Sequence, residues 1–396
     1  MKRLFLLSTF CFLLGNSATG LAQNLTITNA RIMASDGDII ENGSIVVRDG
    51  RIISLASGAP EDPLGTVIDA NGMTAMPGFI DAHRHVNSNP EEGEQMQALL
   101  EAGYTTVLSG GGPAEGGIAL RDHIESGQIN GPRIIPSGRV SLSSTPEEAR
   151  AEIRRMASMG IKFTGEIVLT SFPGPSDREI EVLGAILDEA EKEGVMVQVH
   201  AVSVQSTMAA IEAGAPLLGH MTNKNFLSRE QARIIAASGV NVCTTVGFAS
   251  PVFDVYSNDN VPTFRNGEAW PESIALTNRV PELHLGQEAG HAPVNARTEW
   301  DAGVVLGYCT DTGYAPLAGL DHELKILSVM FSMKDLVKMM GPNSASYIQM
   351  SDDLGELAEG KLADIILIDG DPLAGYWEWL KTRVVIKEGR VVVDKR

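Results

Sequence analysis

The amino-acid sequence predicts an α/β fold: a (β/α)8 TIM barrel with a small β-sandwich domain assembled from both chain ends. Two patterns predict it. Short strands with tight turns stand at both ends of the chain, and between them apolar strand-like runs alternate with amphipathic helical segments. This βα alternation is typical of a parallel sheet covered by helices, and 396 residues suit a barrel plus a small domain. We therefore divide the chain into a signal peptide (1–22), a β-sandwich domain (23–73 plus 352–396) and a barrel domain (74–351).

The first 22 residues have the pattern of a secretory signal. Basic residues follow Met1, an apolar run covers residues 4–14, and small residues lead up to Ala22. We expect cleavage after Ala22 and export of the protein, to the periplasm in a Gram-negative bacterium and otherwise to the medium. No later run of about 18 apolar residues follows, so we expect no membrane association after cleavage.

The net charge limits the possible partners, and the cysteine content bears on disulfides. The chain has 50 acidic and 31 basic residues, a net charge of −19, which argues against nucleic acid or an anionic membrane as partner. A small-molecule substrate fits this balance, and assembly into a homo-oligomer stays open. Beyond the signal only Cys243 and Cys309 occur, both in predicted strands. We expect each to be a buried small hydrophobic residue, with no disulfide framework.

The two ends of the chain share one turn pattern. Asp49-Gly50 separates two apolar β-type runs, and Glu388-Gly389 separates two more near the C-terminus. Residues of these types accept the positive φ angles of tight hairpins. The shared pattern favours one small β-domain built from both ends.

The middle of the chain contains the barrel elements. Thr145 and Ser176 each precede a helical segment and have Glu three residues later, the pattern of a capping box. Residues 249–293 are rich in Pro, Gly, Asn and aromatic residues, and we interpret them as a substrate-covering loop. The predicted strands lie near 76–81, 105–109, 132–136, 161–169, 196–200, 216–220, 240–246 and 304–309, and the clearest helices at 145–159, 176–193, 205–213 and 228–237.

Histidines and carboxylates stand where these strands end. His83 and His85 close the first strand, and alternation places them on the same face. Active sites of barrels lie at the C-terminal ends of the strands, so these side chains are expected to converge. Imidazole and carboxylate together suit Zn²⁺, with Mn²⁺, Fe²⁺ and Co²⁺ as alternatives. The full candidate set of metal ligands is His83, His85, Glu166, His200, His220 and Asp311.

These segments resemble the amidohydrolase superfamily, in its imidazolonepropionase-like and enamidase-like branch. The resemblance covers the barrel and both ends, and its motifs are Pro77-Gly-Phe-Ile-Asp-Ala-His-Arg-His85, the later His and Asp positions, and the closing Gly360-Lys-Leu-Ala-Asp-Ile-Ile-Leu-Ile-Asp-Gly. It implies a binuclear metal site. In such a site the first-strand His pair and Asp311 hold the more buried ion, His200 and His220 hold the other, and a strand-4 carboxylate bridges both.

Two residues compete for the bridge. Many members of the family use a carboxylated lysine on strand 4, and by strict alternation Lys162 and Glu166 share a face. Glu166 lies four residues nearer the C-terminal rim, about 13 Å further along a strand. We therefore predict Glu166 as the bridge, as in enamidase-like members, and leave the contribution of Lys162 open.

The predicted activity is metal-dependent hydrolysis. Two divalent ions would share a bridging hydroxide that attacks a carbonyl, and Asp311 would pass its proton to the leaving nitrogen. The expected substrate is a cyclic amide, an enamide or a small N-acyl compound; an Xaa-Pro type dipeptide and a lactone or ester are alternatives. Arg139 and Tyr314 are candidate substrate-binding residues. A non-catalytic binding protein on the same fold is a remote alternative, because the chain keeps every ligand.

Overall fold

The largest sheet combines strands from both ends of the chain. The computed structural model describes residues 24–33, 37–247, 282–313 and 315–396, with the backbone alone for 282–289. The eight strands of this sheet are β1 (Leu25–Met33), β2 (Ile39–Arg48), β3 (Arg51–Ser57), β4 (Thr66–Asp69), β5 (Thr74–Pro77), β16 (Ile365–Ile368), β17 (Thr382–Lys387) and β18 (Arg390–Asp394). Their order is β18-β17-β16-β5-β1-β2-β3, with β4 beside β1.

Both predicted hairpins are present in this sheet. β2 pairs antiparallel with β3 and β17 with β18. The turn residues Asp49 and Glu388 have φ of 49°, and the glycine after each also has positive φ. The turn chemistry that the sequence indicated therefore sets the register of both hairpins.

The central part of the chain contains parallel strands in three sheets. In chain order they are β6 (Phe79–Arg84), β7 (Tyr104–Ser109), β8 (Arg133–Ile135), β9 (Ser137–Gly138), β10 (Phe163–Thr164), β11 (Ile167–Val168), β12 (Gln198–His200), β13 (Leu217–Leu218), β14 (Asn241–Cys243) and β15 (Val305–Gly307). The sheets are β6-β7-β8, β9-β10 and β11-β12-β13-β14-β15. A strand is present at each of the eight predicted positions. The fourth is interrupted at Gly165-Glu166, between β10 and β11.

Backbone hydrogen bonds connect the last of these strands to the first. The N–H of Ala82 donates to the carbonyl of Tyr308 at 3.1 Å, and the N–H of Asp311 donates to the carbonyl of His83 at 2.8 Å. Gly165 N–H likewise donates to Gly138 carbonyl at 2.7 Å, across the interruption of the fourth strand. The C-terminal ends of the first and last parallel strands are therefore held side by side.

The helices between the strands match the sequence prediction closely. Thr145 and Ser176 form the two predicted capping boxes. The helices are α1 (Glu92–Glu101), α2 (Ala114–Glu125), α3 (Pro146–Ser158), α4 (Asp177–Glu193), α5 (Val204–Glu212), α6 (Arg229–Ser238), α7 (Glu282–Ala302), α8 (Pro316–Met330), α9 (Met333–Lys338) and α10 (Ser344–Tyr347). A π-helical turn covers Met339–Asn343, and a 3₁₀ turn covers Tyr376–Leu380. No described helix is both long and apolar enough to span a membrane.

The last part of the predicted 249–293 loop is helical. From residue 282 onward it forms the first half of α7. The rest of that loop and the predicted signal peptide lie outside the described residues.

The prediction of two unbonded cysteines was wrong. Cys243 at the end of β14 and Cys309 just after β15 form a disulfide, with a Cα–Cα distance of 5.5 Å. The two neighbouring strands are paired in parallel, with Cys243 opposite Gly307. Residues 66 positions apart in the chain thus become neighbours through strand register.

Candidate metal centre

The six predicted ligands converge at the C-terminal ends of the parallel strands. They form two groups in which each residue offers one nitrogen or oxygen atom, and within each group these atoms lie within 4.8 Å of one another. Glu166 belongs to both groups. One group is His83, His85, Glu166 and Asp311, and the other is Glu166, His200 and His220.

Glu166 divides its two carboxylate oxygens between the groups. Oε1 lies 3.5 Å from Nε2 of His85. Oε2 lies 2.7 Å from Nδ1 of His200 and 2.9 Å from Nε2 of His220. A carboxylate that offers one oxygen to each side is suited to bridging two cations.

The interrupted fourth strand explains how Glu166 reaches this position. A Cβ at Gly165 would lie 2.8 Å from the Cα of Gly111, so only glycine allows the two backbones to approach this closely. The next residue then donates its backbone N–H to the carbonyl of Gly110 at 2.8 Å. Gly165 therefore brings the strand against its neighbour and positions the Glu166 side chain.

Asp311 contacts both sides of the centre. Its Oδ1 lies 2.9 Å from Nε2 of His85 and 3.3 Å from Nε2 of His83, and its Oδ2 lies 3.7 Å from Nε2 of His220. Its φ is 53°, a left-handed conformation that aspartate tolerates better than most residues. The backbone bond to His83 described above holds this conformation.

The tautomer of His83 is set by a residue that the sequence analysis missed. Nδ1 of His83 lies 3.1 Å from Oε1 of Gln198. The amide nitrogen of Gln198 donates to the carbonyl of Thr164 at 2.6 Å, which fixes Oε1 as the atom that faces the imidazole. Nδ1 must therefore donate, and Nε2 presents a lone pair to the centre. Gln198 lies two residues before His200 on β12, so strand alternation places the two side chains on the same face. That shared face is the feature of the sequence that could have identified Gln198.

Glycines surround the ring of His83. A Cβ at Gly110 would lie 2.6 Å from its Nε2, and a Cβ at Gly219 would lie 3.3 Å from its Cε1. The ring is fully buried. A side chain at Gly110 would therefore enter the space of the imidazole, and one at Gly219 would press tightly against the ring.

Further polar contacts hold the other ligands. Oγ1 of Thr245 lies 3.3 Å from Nδ1 of His220. The buried carboxylate of Asp81 accepts hydrogen bonds from the backbone N–H of Thr310 at 3.1 Å and from its hydroxyl at 2.6 Å. Because Thr310 precedes Asp311, this contact attaches the last ligand to the first strand.

The donor set fits a divalent cation. Nε2 of His83 and Oδ1 of Asp311 are buried and lie 3.3 Å apart, but among the described residues neither atom forms a hydrogen bond of good geometry. Burial opposes a charge on Glu166, yet hydrogen bonds with His200, His220 and His85 hold its pKa well below the usual range. Asp311 and then Glu166 raise the pKa of His85 to about 10. A centre with this electrostatic field stabilises positive charge, as a metal site requires.

The remaining candidates differ in position. Lys162 is exposed and belongs to neither ligand group, because the interruption after β10 breaks the strict alternation that placed it beside Glu166. Arg139 lines a cavity of about 480 Å³ together with His85 and Glu166. Tyr314 lies outside the described residues.

A parallel α/β fold with clustered histidines and carboxylates at its strand ends is typical of metal-dependent enzymes. Residues 74–392 match the amidohydrolase family, and the chain belongs to that family. The resemblance inferred from the sequence is thereby confirmed.

The similar proteins span nearly the whole chain. The chain is 24% identical to an imidazolonepropionase of Streptococcus gordonii, over 90% of this chain and 91% of that protein. It is 22% identical to a dihydroorotase of Elusimicrobium minutum, over 87% and 86% of the two chains. Among solved structures, a putative prolidase from Bifidobacterium longum superimposes with a TM-score of 0.79 at 25% identity, covering 95% and 97%.

Proposed function

We propose that the protein is a binuclear metal-dependent amidohydrolase that cleaves a C–N bond in a cyclic amide, an enamide or a small N-acyl compound. The division of the Glu166 oxygens between two ligand groups carries the binuclear part of this proposal. The imidazolonepropionase and dihydroorotase relatives support the amide-like substrate.

The roles of the protein residues follow from the geometry. Divalent ions at such a centre, for which Zn²⁺ suits the ligand set, supply an activated water nucleophile and a Lewis acid. His83, His85 and Asp311 would hold one ion, His200 and His220 the other, and Glu166 both. Asp311 would accept a proton and deliver it to the leaving nitrogen; the contacts of its carboxylate with His85 and His220 support this role.

The architecture belongs to the same proposal. The hydrogen bonds between the last and first parallel strands support a closed (β/α)8 barrel over residues 74–351. The shared sheet of β1–β5 and β16–β18 supports a single β-domain formed by 23–73 and 352–396.

Export is a further part of the proposal. A disulfide between Cys243 and Cys309 is expected in an oxidising compartment, which supports the interpretation of residues 1–22 as a secretory signal. N-terminal sequencing of the protein from culture fractions, before and after cell disruption, tests both the cleavage site and the location.

Metal analysis of a matched pair of variants tests the centre. Glu166→Ala should lose metal and hydrolytic activity, because both ligand groups lose the carboxylate that they share. Lys162→Ala is the control and should retain both, because Lys162 is exposed and outside the groups. Wild-type protein should bind two equivalents of metal per chain. One equivalent, or the reverse ranking of the two variants, would contradict the proposal.

Dipeptide hydrolysis is a second candidate activity. The structural similarity to a putative prolidase favours it, since the same centre could attack a peptide carbonyl. A screen of the metal-loaded enzyme on lactams, hydantoin-like rings, N-acyl amino acids, dipeptides and lactones separates these possibilities.

A further inference from the structure

We propose that Arg139 binds a carboxylate of the substrate, so that the enzyme acts on amides that carry a free carboxylate, such as N-acyl amino acids and dipeptides. This inference rests on the proposed hydrolase function and specifies its substrate class. The observation that supports it is the position of Arg139 in the lining of the cavity that opens on the metal centre.

The cavity joins the metal centre to Arg139. It has a volume of about 480 Å³, large enough for a small amide. His85 and Glu166, two of the proposed metal ligands, form one part of its lining. Arg139 and the segment 140–143 form another part. A substrate bound with its carbonyl beside His85 and Glu166 would share this cavity with Arg139.

The guanidinium group of Arg139 has no side-chain partner among the described residues, neither in an ion pair nor in a hydrogen bond. Two arginines of the parallel strands, by contrast, form ion pairs. Arg84 is buried and lies 2.9 Å from the carboxylate of Asp81. Arg133 lies 2.7 Å from the carboxylate of Asp364.

The charge balance of the cavity also favours an anion. Among the described lining residues the one carboxylate is that of Glu166, whose two oxygens lie against the imidazoles of His85, His200 and His220. Among the described residues no carboxylate forms an ion pair with Arg139. A guanidinium group pairs with a carboxylate through two parallel hydrogen bonds, which also fixes the orientation of the ligand.

The reaction of this substrate class balances with water alone. The oxygen of water bonds to the acyl carbon, the C–N bond breaks, and the nitrogen takes up a proton and leaves as the amine. The carboxylate held by Arg139 remains unchanged. Its role is to bind the substrate and to position the scissile carbonyl.

Matched substrate pairs test the inference. Each N-acyl amino acid or dipeptide is compared with its C-terminal carboxamide, which lacks only the negative charge. Arg139→Gln should lower kcat/KM for the acids by about 10- to 100-fold, mainly through KM, as expected for loss of charge-assisted hydrogen bonds. The carboxamides should be unaffected, and Arg139→Lys should show a smaller loss on the acids. Arg229→Gln, at an exposed arginine outside the cavity lining, is the control.

A binding measurement separates this inference from the proposed function. Calorimetric titration with N-acetyl amino acids should give weaker binding to Arg139→Gln than to wild type, with metal content unchanged. If metal-loaded wild type hydrolyses none of the lactams, hydantoin-like rings, N-acyl amino acids, dipeptides and lactones of the screen but this difference in binding persists, the hydrolase proposal fails and carboxylate recognition stands. Equal effects of Arg139→Gln on acids and carboxamides, or no effect on either rate or binding, would overturn the inference.

Discussion

Glu299 makes the stability of the protein depend on pH. It lies on α7, is fully buried, and has no hydrogen-bond partner for either carboxylate oxygen among the described residues. Burial alone raises its pKa to about 8. Replacing it with glutamine keeps the size and shape of the side chain but removes the charge, so Glu299→Gln isolates the cost of ionisation.

The sign and magnitude of the effect are set by proton linkage. The folded state holds the Glu299 proton up to about pH 8, whereas the unfolded chain releases it near 4.5. Folded protein therefore binds more protons between these values, and the stability of the wild type falls as pH rises through that window. At about 1.4 kcal/mol per pKa unit, the full penalty is of order 4–5 kcal/mol above pH 8. Glu299→Gln has no ionisable group at this position, so its stability does not fall for this reason as the pH rises.

Thermal unfolding at pH 5, 6.5 and 8 measures the effect. The Tm of Glu299→Gln should be close to that of wild type at pH 5 and several degrees above it at pH 8. Glu323→Gln is the control, because burial also raises the pKa of Glu323 to about 8, but its oxygens accept the backbone N–H groups of Val246 and Gly247. An amide NH₂ cannot accept, so this variant should be destabilised at all three pH values. A Tm difference for Glu299→Gln that does not change with pH would refute the reasoning.

The remaining predictions concern the disulfide and the interrupted strand. Reduction of the Cys243–Cys309 bond, which spans 66 residues, should cost about 4 kcal/mol of stability by the loop-entropy relation; equal urea midpoints with and without reductant would contradict it. Gly165→Ala should lower both Tm and bound metal, because its Cβ would lie 2.8 Å from the Cα of Gly111. Gly184→Ala, exposed on α4 with no atom within 4 Å of the new Cβ, should be neutral or stabilising by up to about 1 kcal/mol; equal losses of Tm and metal in the two variants would disprove the role given to Gly165.

The sequence was sufficient to predict which side chains converge. Period-two alternation placed His83 and His85 on one face, and the ends of later strands supplied the other candidates, because parallel strands in βα units end at one rim. The rise along a strand also favoured Glu166 over Lys162. Strict alternation does not hold between these two residues, because the strand is interrupted at Gly165-Glu166.

Contacts across strands could not be predicted in the same way. The pairing of Cys243 with Cys309 depends on the register between β14 and β15, which neither strand encodes alone. Gln198 is an ordinary polar residue in the sequence and becomes significant only because Thr164 fixes its amide. The glycines around His83 likewise become explicable only from the position of the ring, which a Cβ at either glycine would approach closely. These features are consequences of assembly and therefore need coordinates.

The anchoring of Asp311 shows why such contacts matter to the proposed chemistry. It follows β15, a strand of three residues, which offers few ladder hydrogen bonds to hold its side chain. Instead its N–H bonds to the carbonyl of His83, and the residue before it is bound by Asp81. The disulfide at Cys309 ties the same segment to β14. A proton-transferring carboxylate must keep a fixed distance to both ligand groups, and these three attachments restrain it from two neighbouring strands. Loss of any one of them should therefore weaken the metal centre before it unfolds the protein.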